Sequence, residues 1–367
     1  MKLEAFLLIL FSFIVLVSCG LKSDSEDPNW DFSYSLDTVQ IDPGDKLLFV
    51  AYGIRKARLS PDERFLYYYN NIDHAIEKID LVDESYHSTL FLNEEGKKGV
   101  PSREAMDYIV KENGNLFFFT VRNFVELDFE GNLVNESARI DSLFQIPAGK
   151  EFNGMSILSP YGNYLEGITS NWQDDLTLGF LDLARFRYHE EKLSQMAYLN
   201  DLKVQLDDGI IMGRPMFLAY FDEKITVSHP DGIDVYQLDP KSKEINFYDN
   251  RPNKIEQRKP GNYPKSATFE EVYDLVNKEV SYGELFWDKK NRRYYRFASK
   301  RPEGKNITKI LLIFDDELNL IHEEDFSDLD FRIWNPLVRD GKLYLLQNES
   351  DEMEFLVFDF ELEQTKP

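Results

Sequence analysis

The chain has 367 residues, of which 42 are Lys or Arg and 66 are Asp or Glu, so its formal net charge is −24. This acidic balance excludes a general nucleic-acid binder and docking on anionic lipid through protein charge, because both need clustered basic side chains. Hydrophobic residues make up 43 % of the chain and include 28 Phe and 20 Tyr, so most of the chain is expected to fold.

The first 19 residues are typical of a bacterial lipoprotein signal. The apolar run from Ala5 to Val17 has 13 residues, too few for a bilayer span of about 20, but it suits the hydrophobic region of a signal peptide. Leu16-Val17-Ser18-Cys19 resembles a lipobox, in which the cysteine thiol receives a diacylglyceryl group and becomes the first residue after cleavage. Cys19 is the only cysteine, so no internal disulfide can form. The alternative is an ordinary signal peptide with an incidental cysteine.

Residues 1–18 are therefore predicted to be a signal peptide and residues 19–31 an acylated acidic tether. More than one acyl chain anchors a protein firmly, and Gly20 after the cysteine, rather than Asp, favours the outer membrane. The acidic run from Lys22 to Asp27 is either a solvated tether or a signal that resembles those of surface-exported lipoproteins. We expect an outer-membrane lipoprotein that faces the periplasm or the cell exterior, with the membrane as a partner through Cys19.

A strand signature recurs through the remaining chain. A hydrophobic residue followed by Asp closes a strand-rich run at Asp80, Asp128, Asp182, Asp239, Asp315 and Asp359. Upstream of each, a turn with Gly, Asn, Asp or Pro precedes another strand, as in Pro61 to Arg64. Asp suits the end of the third strand because its carboxylate can accept a backbone N–H. Each unit of four strands spans about 40–55 residues, the size of a propeller blade.

We therefore predict an all-β fold, a six-bladed β-propeller that occupies residues 32–367 as a single domain. The segment from Phe32 to Ile41 adds an early strand that would complete the last blade and remove free sheet edges. The alternative is a pair of β-sandwiches with coincidental turn spacing.

An insertion at about residues 250–282 interrupts the repeat between blades 4 and 5. Its first half has three prolines, which favour an extended loop, and Glu256 as its only acid. The cations of this half are Arg251, Lys254, Arg258, Lys259 and Lys265. The insertion is either a flap that faces a partner or ligand, or a decoration whose charges offset acidic neighbours.

The second half of the insertion is predicted to contain one short helix. Thr268 to Glu271 has the pattern of a capping box. Apolar residues then recur at helical spacing at Phe269, Val272, Tyr273 and Val276, which predicts an amphipathic helix over a propeller face.

The segment Leu59-Ser60-Pro61-Asp62-Glu63-Arg64-Phe65-Leu66-Tyr67 resembles the recurrent hairpin of TolB-type six-bladed propellers, and Ser159 to Leu165 is a weaker copy. With the lipobox, the chain over about residues 32–362 also resembles uncharacterised propeller lipoproteins of Bacteroidetes-type bacteria. The resemblance implies the fold and an envelope location. It carries no known active site, so no catalytic residue is transferred.

The sequence has no recognised catalytic or metal-binding motif. Its five histidines form neither HExxH nor a pair four residues apart, and one cysteine cannot build a thiolate zinc site. EF-hand, GxSxG, P-loop and GxGxxG patterns are absent. We expect no cofactor, with a divalent cation such as Ca²⁺ as the alternative.

Candidate ligand-binding residues lie in the segments that enter each blade, because a propeller places its function in the central channel. They are Arg55, Arg58, Arg103, Asp107, Asn153, Arg214, Glu284, Arg332 and Asn335. The arginines could bind the carboxylate or phosphate of an anionic ligand or acidic peptide. Alternatively, they pair with Asp and Glu at the blade ends and stiffen the channel.

These features predict a non-catalytic binding or scaffold module for a protein, peptide or glycan, tethered through Cys19. No nucleic-acid partner is expected. The alternative is a metal-assisted hydrolase, lactonase- or phosphoesterase-like, in which Glu284, Asp107, Asn153 and Asn335 hold a metal in the channel.

Overall fold

A computed structural model describes most of the chain between residues 30 and 364, and all structural statements concern this described part. The described ranges are 30–51, 53–96, 99–100, 106–120, 124–136, 152–158, 164–169, 177–182, 187–200, 204–205, 211–212, 216–221, 223–261, 263, 268–301, 306–347 and 352–364. The predicted signal peptide, Cys19 and nearly all of the predicted tether therefore lie outside the described residues.

The described chain begins with one long strand and continues into three blades, each made of four consecutive antiparallel strands. The first strand is β1 (Trp30–Gln40). Blade 1 comprises β2 (Arg55–Leu59), β3 (Phe65–Asn70), β4 (Ala75–Asp80) and β5 (Ser85–Phe91). Blade 2 comprises β6 (Met106–Val110), β7 (Leu116–Thr120), β8 (Phe124–Leu127) and β9 (Leu133–Glu136). Blade 3 comprises β10 (Phe152–Leu158), β11 (Tyr164–Thr169), β12 (Thr177–Asp182) and β13 (Arg187–Lys192).

A short segment that was not predicted separates blades 3 and 4. It contains a 3₁₀ helix (Ser194–Asn200) and the two-stranded pair β14 (Val204–Gln205) and β15 (Ile211–Met212). Blade 4 comprises β16 (Phe217–Phe221), β17 (Lys224–His229), β18 (Gly232–Leu238) and β19 (Ile245–Tyr248). Blade 5 comprises β20 (Ser281–Asp288), β21 (Arg293–Lys300), β22 (Thr308–Phe314) and β23 (Leu320–Asp325).

The last three strands form a composite sheet with the first. These are β24 (Leu337–Arg339), β25 (Lys342–Gln347) and β26 (Glu354–Gln364), and the sheet order is β1-β26-β25-β24. The all-β propeller is therefore as predicted, but the structure has five blades of four consecutive strands, not six. The reason is that the chain supplies only three strands after blade 5, so the closing sheet takes its fourth strand from the early segment.

The chain separates into two compact units. The main unit contains residues 35–359, and within it the Ile41 N–H donates to the Met353 carbonyl oxygen over 2.9 Å. The described part of the small unit contains residues 30–34 and 360–364. Within the small unit, the rings of Phe32 and Phe360 lie 5.8 Å apart.

The hydrophobic-Asp signature marks real turns in four places. The carboxylate oxygen Oδ1 accepts a backbone N–H from two or four residues further along, over 2.7–2.9 Å, at Asp80, Asp128, Asp239 and Asp315. Asp359 differs, because β26 continues through it to Gln364 beside β1. The predicted strand end at Asp359 is therefore wrong.

The predicted hairpin between β2 and β3 forms as the sequence suggests. Ser60 Oγ donates to Asp62 Oδ1 over 2.5 Å and accepts the Phe65 N–H over 2.9 Å. Glu63 takes a positive φ of 57°, which completes the tight turn.

The dense aromatic residues fill the space between adjacent blades. One cluster joins Tyr67 and Ile76 of blade 1 to Tyr108 and Phe118 of blade 2. A second cluster joins Ile233 of blade 4 to several strands of blade 5. Full burial of one large apolar side chain contributes about 1.5–3 kcal/mol, so these contacts hold the ring of blades together.

One α-helix, α1 (Phe269–Lys278), lies within the predicted insertion between blades 4 and 5. The capping box is confirmed: the Glu271 N–H donates to Thr268 Oγ1 over 3.3 Å, and the Thr268 N–H donates to Glu271 Oε2 over 2.9 Å. Val272 is fully buried, whereas Tyr273 is exposed, so the apolar face is narrower than predicted. Across the described ranges, no helix combines the length and apolarity needed to traverse a bilayer.

Candidate functional site

The first strands of the blades surround a central channel. β2, β6, β10, β16, β20 and β24 contact one another in succession. The channel has a volume of about 960 Å³, and its described wall comes from β2, β6, β16, β20 and the segment before β24. Small-molecule sites usually measure about 300–1,000 Å³, so this channel is large enough for a ligand.

Arg58 and Asp107 form an ion pair across the boundary between blades 1 and 2. Arg58 Nη2 lies 2.8 Å from Asp107 Oδ1, and Asp107 is only 4 % exposed. Arg58 Nε also donates to the Tyr108 carbonyl oxygen over 3.2 Å. Burial lowers the pKa of Arg58, but the neighbouring charge of Asp107 raises it, and the balance is upward. Arg58 therefore pairs with an acidic residue of the protein. This is the second of the two alternatives given for the arginines, in which they stiffen the channel rather than bind a ligand.

Glu284 enters the same channel from β20 of blade 5. Its side chain is exposed to solvent, and partial burial in the channel wall desolvates its carboxyl group in part. This burial raises the pKa of Glu284, and the charge of Arg58 opposes the shift only in part. Within the described part of the chain, no hydrogen bond holds this carboxyl group.

Lys56 is a channel residue that the sequence analysis missed. It lies in the bulge between Arg55 and Arg58, where the β2–β3 register shifts, and its φ is 52°. A bulge redirects a side chain. Burial lowers the pKa of Lys56, Asp107 raises it, and Arg58 lowers it, with a net decrease. Its ammonium group has no hydrogen-bond partner among the residues that the structure describes.

Asn335 reaches the channel wall but has a structural contact there. Its Oδ1 accepts the Ile54 N–H over 3.1 Å, at the start of blade 1. Gly53, at φ 77°, permits this approach, because a Cβ there would lie 2.0 Å from the same oxygen. Arg332 is exposed and is not among the residues that line the channel, and its backbone N–H donates to Gln347 Oε1 over 3.1 Å.

The other predicted site residues cannot be placed. Arg103 and Arg214 lie outside the described residues, as do the side chains of Arg55 and Asn153. Of the four predicted metal ligands, Asp107 is paired with Arg58 and the Asn335 oxygen accepts a backbone N–H. Across the described ranges, no three His, Cys, Asp or Glu side chains come together in a group that could hold a metal ion.

The channel wall has two chemically distinct sides. The charged side chains Lys56, Arg58 and Asp107 come from β2 and β6. The part formed by β16, β20 and the segment before β24 is largely apolar, with Phe217, Phe221, Phe286 and Ile333. Within this part, Glu284 of β20 adds a carboxyl group, and Lys289, directly after β20, adds an ammonium group. The continuous apolar run of β16 (Phe217–Phe221), all of whose residues line the channel, is the signal by which sequence reasoning could have found this side.

The cations of the insertion bind other groups of the protein. Lys254 Nζ donates to the Glu323 carbonyl oxygen over 2.7 Å. Arg258 Nε lies 2.8 Å from Asp234 Oδ2, and Lys259 Nζ lies 3.4 Å from Asp231 Oδ1. For Arg258 and Lys259, these contacts favour the predicted charge-offsetting decoration over a basic flap, and Lys254 is held by a backbone carbonyl oxygen.

Comparison with known proteins gives one family and a common fold. The family described as "Domain of unknown function (DUF4221)" matches residues 29–325. The crystal structure of a DUF4221 member from Bacteroides vulgatus covers 92 % of this chain and 100 % of its own, at 13 % identity and a TM-score of 0.64. A Bacteroides fragilis protein described as exported covers 91 % and 96 %, at 10 % identity and a TM-score of 0.51. No curated protein matches the chain.

Proposed function

The chain belongs to the DUF4221 family, and from that premise and the channel geometry we propose that it is a lipid-anchored envelope protein that binds a ligand without catalysing a reaction. The observation that carries this proposal is the channel of about 960 Å³, on whose described wall three charged side chains, Lys56, Glu284 and Lys289, have no ion-pair partner among the described residues. A rigid ring of blades suits such a role, because a preformed site loses little entropy when it binds.

The envelope location rests on the sequence of residues 1–31. The lipobox ends in the only cysteine, so acylation would consume the only thiol of the chain. One structural neighbour carries a description as an exported protein, which agrees with this location. We propose the outer membrane as the site of the anchor, with the propeller in the periplasm or outside the cell.

Binding fits the channel wall better than hydrolysis. A hydrolase needs an acid or base free to move a proton, or a set of metal ligands. Asp107 is committed to Arg58, and Ser60 is tied to Asp62 and the Phe65 N–H. Glu63 accepts the Asp340 N–H over 2.9 Å, so Glu284 is the one carboxyl group of the described wall without a hydrogen-bond partner, which suits a binding contact better than a catalytic pair.

The test uses a cysteine placed in the channel of the full-length lipoprotein, purified in detergent. Ala219 lines the channel on β16, and Ala219→Cys would provide a thiol there. A panel of short peptides and oligosaccharides is added, and the rate of alkylation by N-ethylmaleimide is measured. We expect at least one compound to slow alkylation about tenfold at saturation, because alkylation then requires ligand dissociation.

Two controls define the result. Glu112→Cys, on an exposed turn outside the channel, should be alkylated at the same rate with every compound. The unmodified sequence should take no reagent, because acylation has consumed the Cys19 thiol. If no compound protects Ala219→Cys, channel binding is contradicted; if the unmodified protein is alkylated at Cys19, the lipid anchor is contradicted.

A further inference from the structure

We infer that the channel recognises a zwitterionic ligand of the peptide class, with Glu284 binding its ammonium group and Lys56 its carboxylate. This inference rests on the proposed channel function and names the ligand class for it. Lys56 and Glu284 come from blades 1 and 5 and both line the channel.

Some charged side chains of the described wall have hydrogen-bond partners within the protein, and others do not. The Arg58 guanidinium donates to Asp107 and to the carbonyl oxygens of Ala57 and Tyr108, over 2.8–3.2 Å. These contacts use all three of its nitrogen atoms. A ligand therefore meets Arg58 and Asp107 as a neutral pair. The wall charges without a described partner are the carboxyl group of Glu284 and the ammonium groups of Lys56 and Lys289, and of these two lysines only Lys56 lies beside Arg58 on β2.

Arg58 links these two groups electrostatically. Its positive charge favours the ionised form of Glu284 and disfavours that of Lys56. A ligand carboxylate beside Lys56 would relieve the repulsion between the two cations. A ligand ammonium beside Glu284 would form a charge-assisted hydrogen bond with a carboxylate on the channel wall that has no partner among the described residues. A ligand with one charge only would leave the other group unpaired.

The rest of the wall suits the body of a short peptide. Phe217, Phe221 and Phe286 provide an apolar surface next to the charged part. A peptide with free ends has two opposite charges separated by an apolar or amide-rich body. A neutral oligosaccharide has no charge for either Lys56 or Glu284, so the wall favours the peptide.

The probes are four forms of the tripeptide Ala-Leu-Ala: free, N-acetylated, C-amidated and blocked at both ends. Binding is measured as protection of Ala219→Cys over a range of concentrations. We expect acetylation or amidation to weaken binding about tenfold each, because each removes one charge-assisted contact. Maltotriose, a neutral oligosaccharide, should bind at least about tenfold more weakly than the free peptide.

Variants assign each charge to its partner. Glu284→Gln should bind the free and acetylated peptides equally, while still preferring a free carboxylate. Lys56→Gln should bind the free and amidated peptides equally, while still preferring a free ammonium group. Matched controls are Glu112→Gln and Lys243→Gln, on exposed turns; Lys243 also has a positive φ, of 62°, as Lys56 does.

The outcomes separate this inference from the function on which it rests. If maltotriose protects the channel and no peptide does, the channel binds ligands but the peptide class is wrong. The same conclusion follows if blocking the peptide ends has no effect, or if Glu284→Gln keeps the wild-type preference for a free ammonium group. If neither peptides nor maltotriose protect the channel, both the inference and the proposed function fail.

Discussion

Two parts of the main unit bring charged side chains of both signs close together. One is the channel wall, with Lys56, Arg58, Asp107 and Glu284. The other is the polar cluster beside the insertion, which we call the insertion cluster; it contains Asp231, Asp234, Arg258, Lys259 and Arg296. The same residue types occur in both, so the comparison depends on what each group contacts.

In the insertion cluster, the cationic side chains form hydrogen bonds or ion pairs with other groups of the protein. Arg296 is fully buried and donates to the carbonyl oxygens of Gly283, Ile233 and His229 over 2.8–2.9 Å. Burial lowers its pKa to about 10, which still leaves it charged at neutral pH. Lys259 Nζ contacts Asp231 and donates to the Val276 carbonyl oxygen over 3.2 Å, which attaches α1 to blade 4.

In the channel, by contrast, Arg58 and Asp107 form an ion pair, whereas Lys56, Glu284 and Lys289 have no ion-pair partner among the described residues. The cations of the insertion cluster hold the backbone through their hydrogen bonds and ion pairs, although the buried Asp234 Oδ1 accepts no hydrogen bond from a described residue. Unpaired charges on the channel wall reduce stability but remain available to a ligand. The comparison therefore assigns structure to the insertion cluster and binding to the channel.

The largest expected effect is that of Arg296→Met in the insertion cluster. Three buried carbonyl oxygens would lose their donor at once, and we expect a loss of about 3 kcal/mol or more in the free energy of unfolding. Urea unfolding at pH 7, followed by circular dichroism, measures this loss.

The matched control for Arg296→Met is Arg292→Met, which removes an exposed ion pair with Asp316. Its expected cost is below about 1 kcal/mol. Equal losses in the two variants would mean that the buried contacts of Arg296 do not determine stability. The structural role assigned to the insertion cluster would then be contradicted.

A smaller effect is expected for Asp80→Asn, which tests a committed carboxylate outside both regions. Burial raises the pKa of Asp80, but hydrogen bonds from Arg64 and from two backbone N–H groups outweigh burial and lower the pKa to about 2. A folded pKa below the unfolded value means that the carboxylate stabilises the fold above about pH 4, and that this contribution is lost as the pH falls towards 2. We expect Asp80→Asn to cost about 2 kcal/mol at pH 7.

Urea unfolding of Asp80→Asn and wild type between pH 7 and pH 2 measures this contribution. The difference between them should shrink below pH 4. Asp83→Asn is the control, because Asp83 contacts the same Arg64 over 3.1 Å but is exposed. A pH-independent difference for Asp80→Asn would contradict the assignment.

Local chemistry explains which parts of the fold could be predicted. The turns at Asp80 and Asp315 and the capping box of Thr268 depend on atoms a few residues apart, and the sequence contains all of them. The bulge at Lys56 and the continuation of β26 through Asp359 depend on pairing between strands, which a single sequence does not display.

The candidate site was predictable in its location but not in its pairing. Arg58, Asp107, Glu284 and Asn335 all reach the channel, as their positions before or within first strands suggested. Which charged side chains are left without an internal partner depends on the distances between blades, and side-chain packing sets those distances. The sequence could therefore propose that arginines either bind ligand or pair internally, and only the 2.8 Å contact decides this for Arg58.

The smallest expected effect on stability is that of Glu284→Gln, and it tests the comparison from the channel side. Burial raises the folded pKa of Glu284 above its ordinary value of 4.5. A raised pKa means that its contribution to stability is complete below pH 4.5 and is lost as the pH rises, so the carboxylate is unfavourable at pH 7. Removing the charge should leave the free energy of unfolding unchanged at pH 4 and equal to or slightly above wild type at pH 7. Urea unfolding at the two pH values measures this. A loss as large as that of Asp80→Asn would mean that Glu284 has a structural partner, and a carboxyl group held in that way would not be free to select an ammonium ligand.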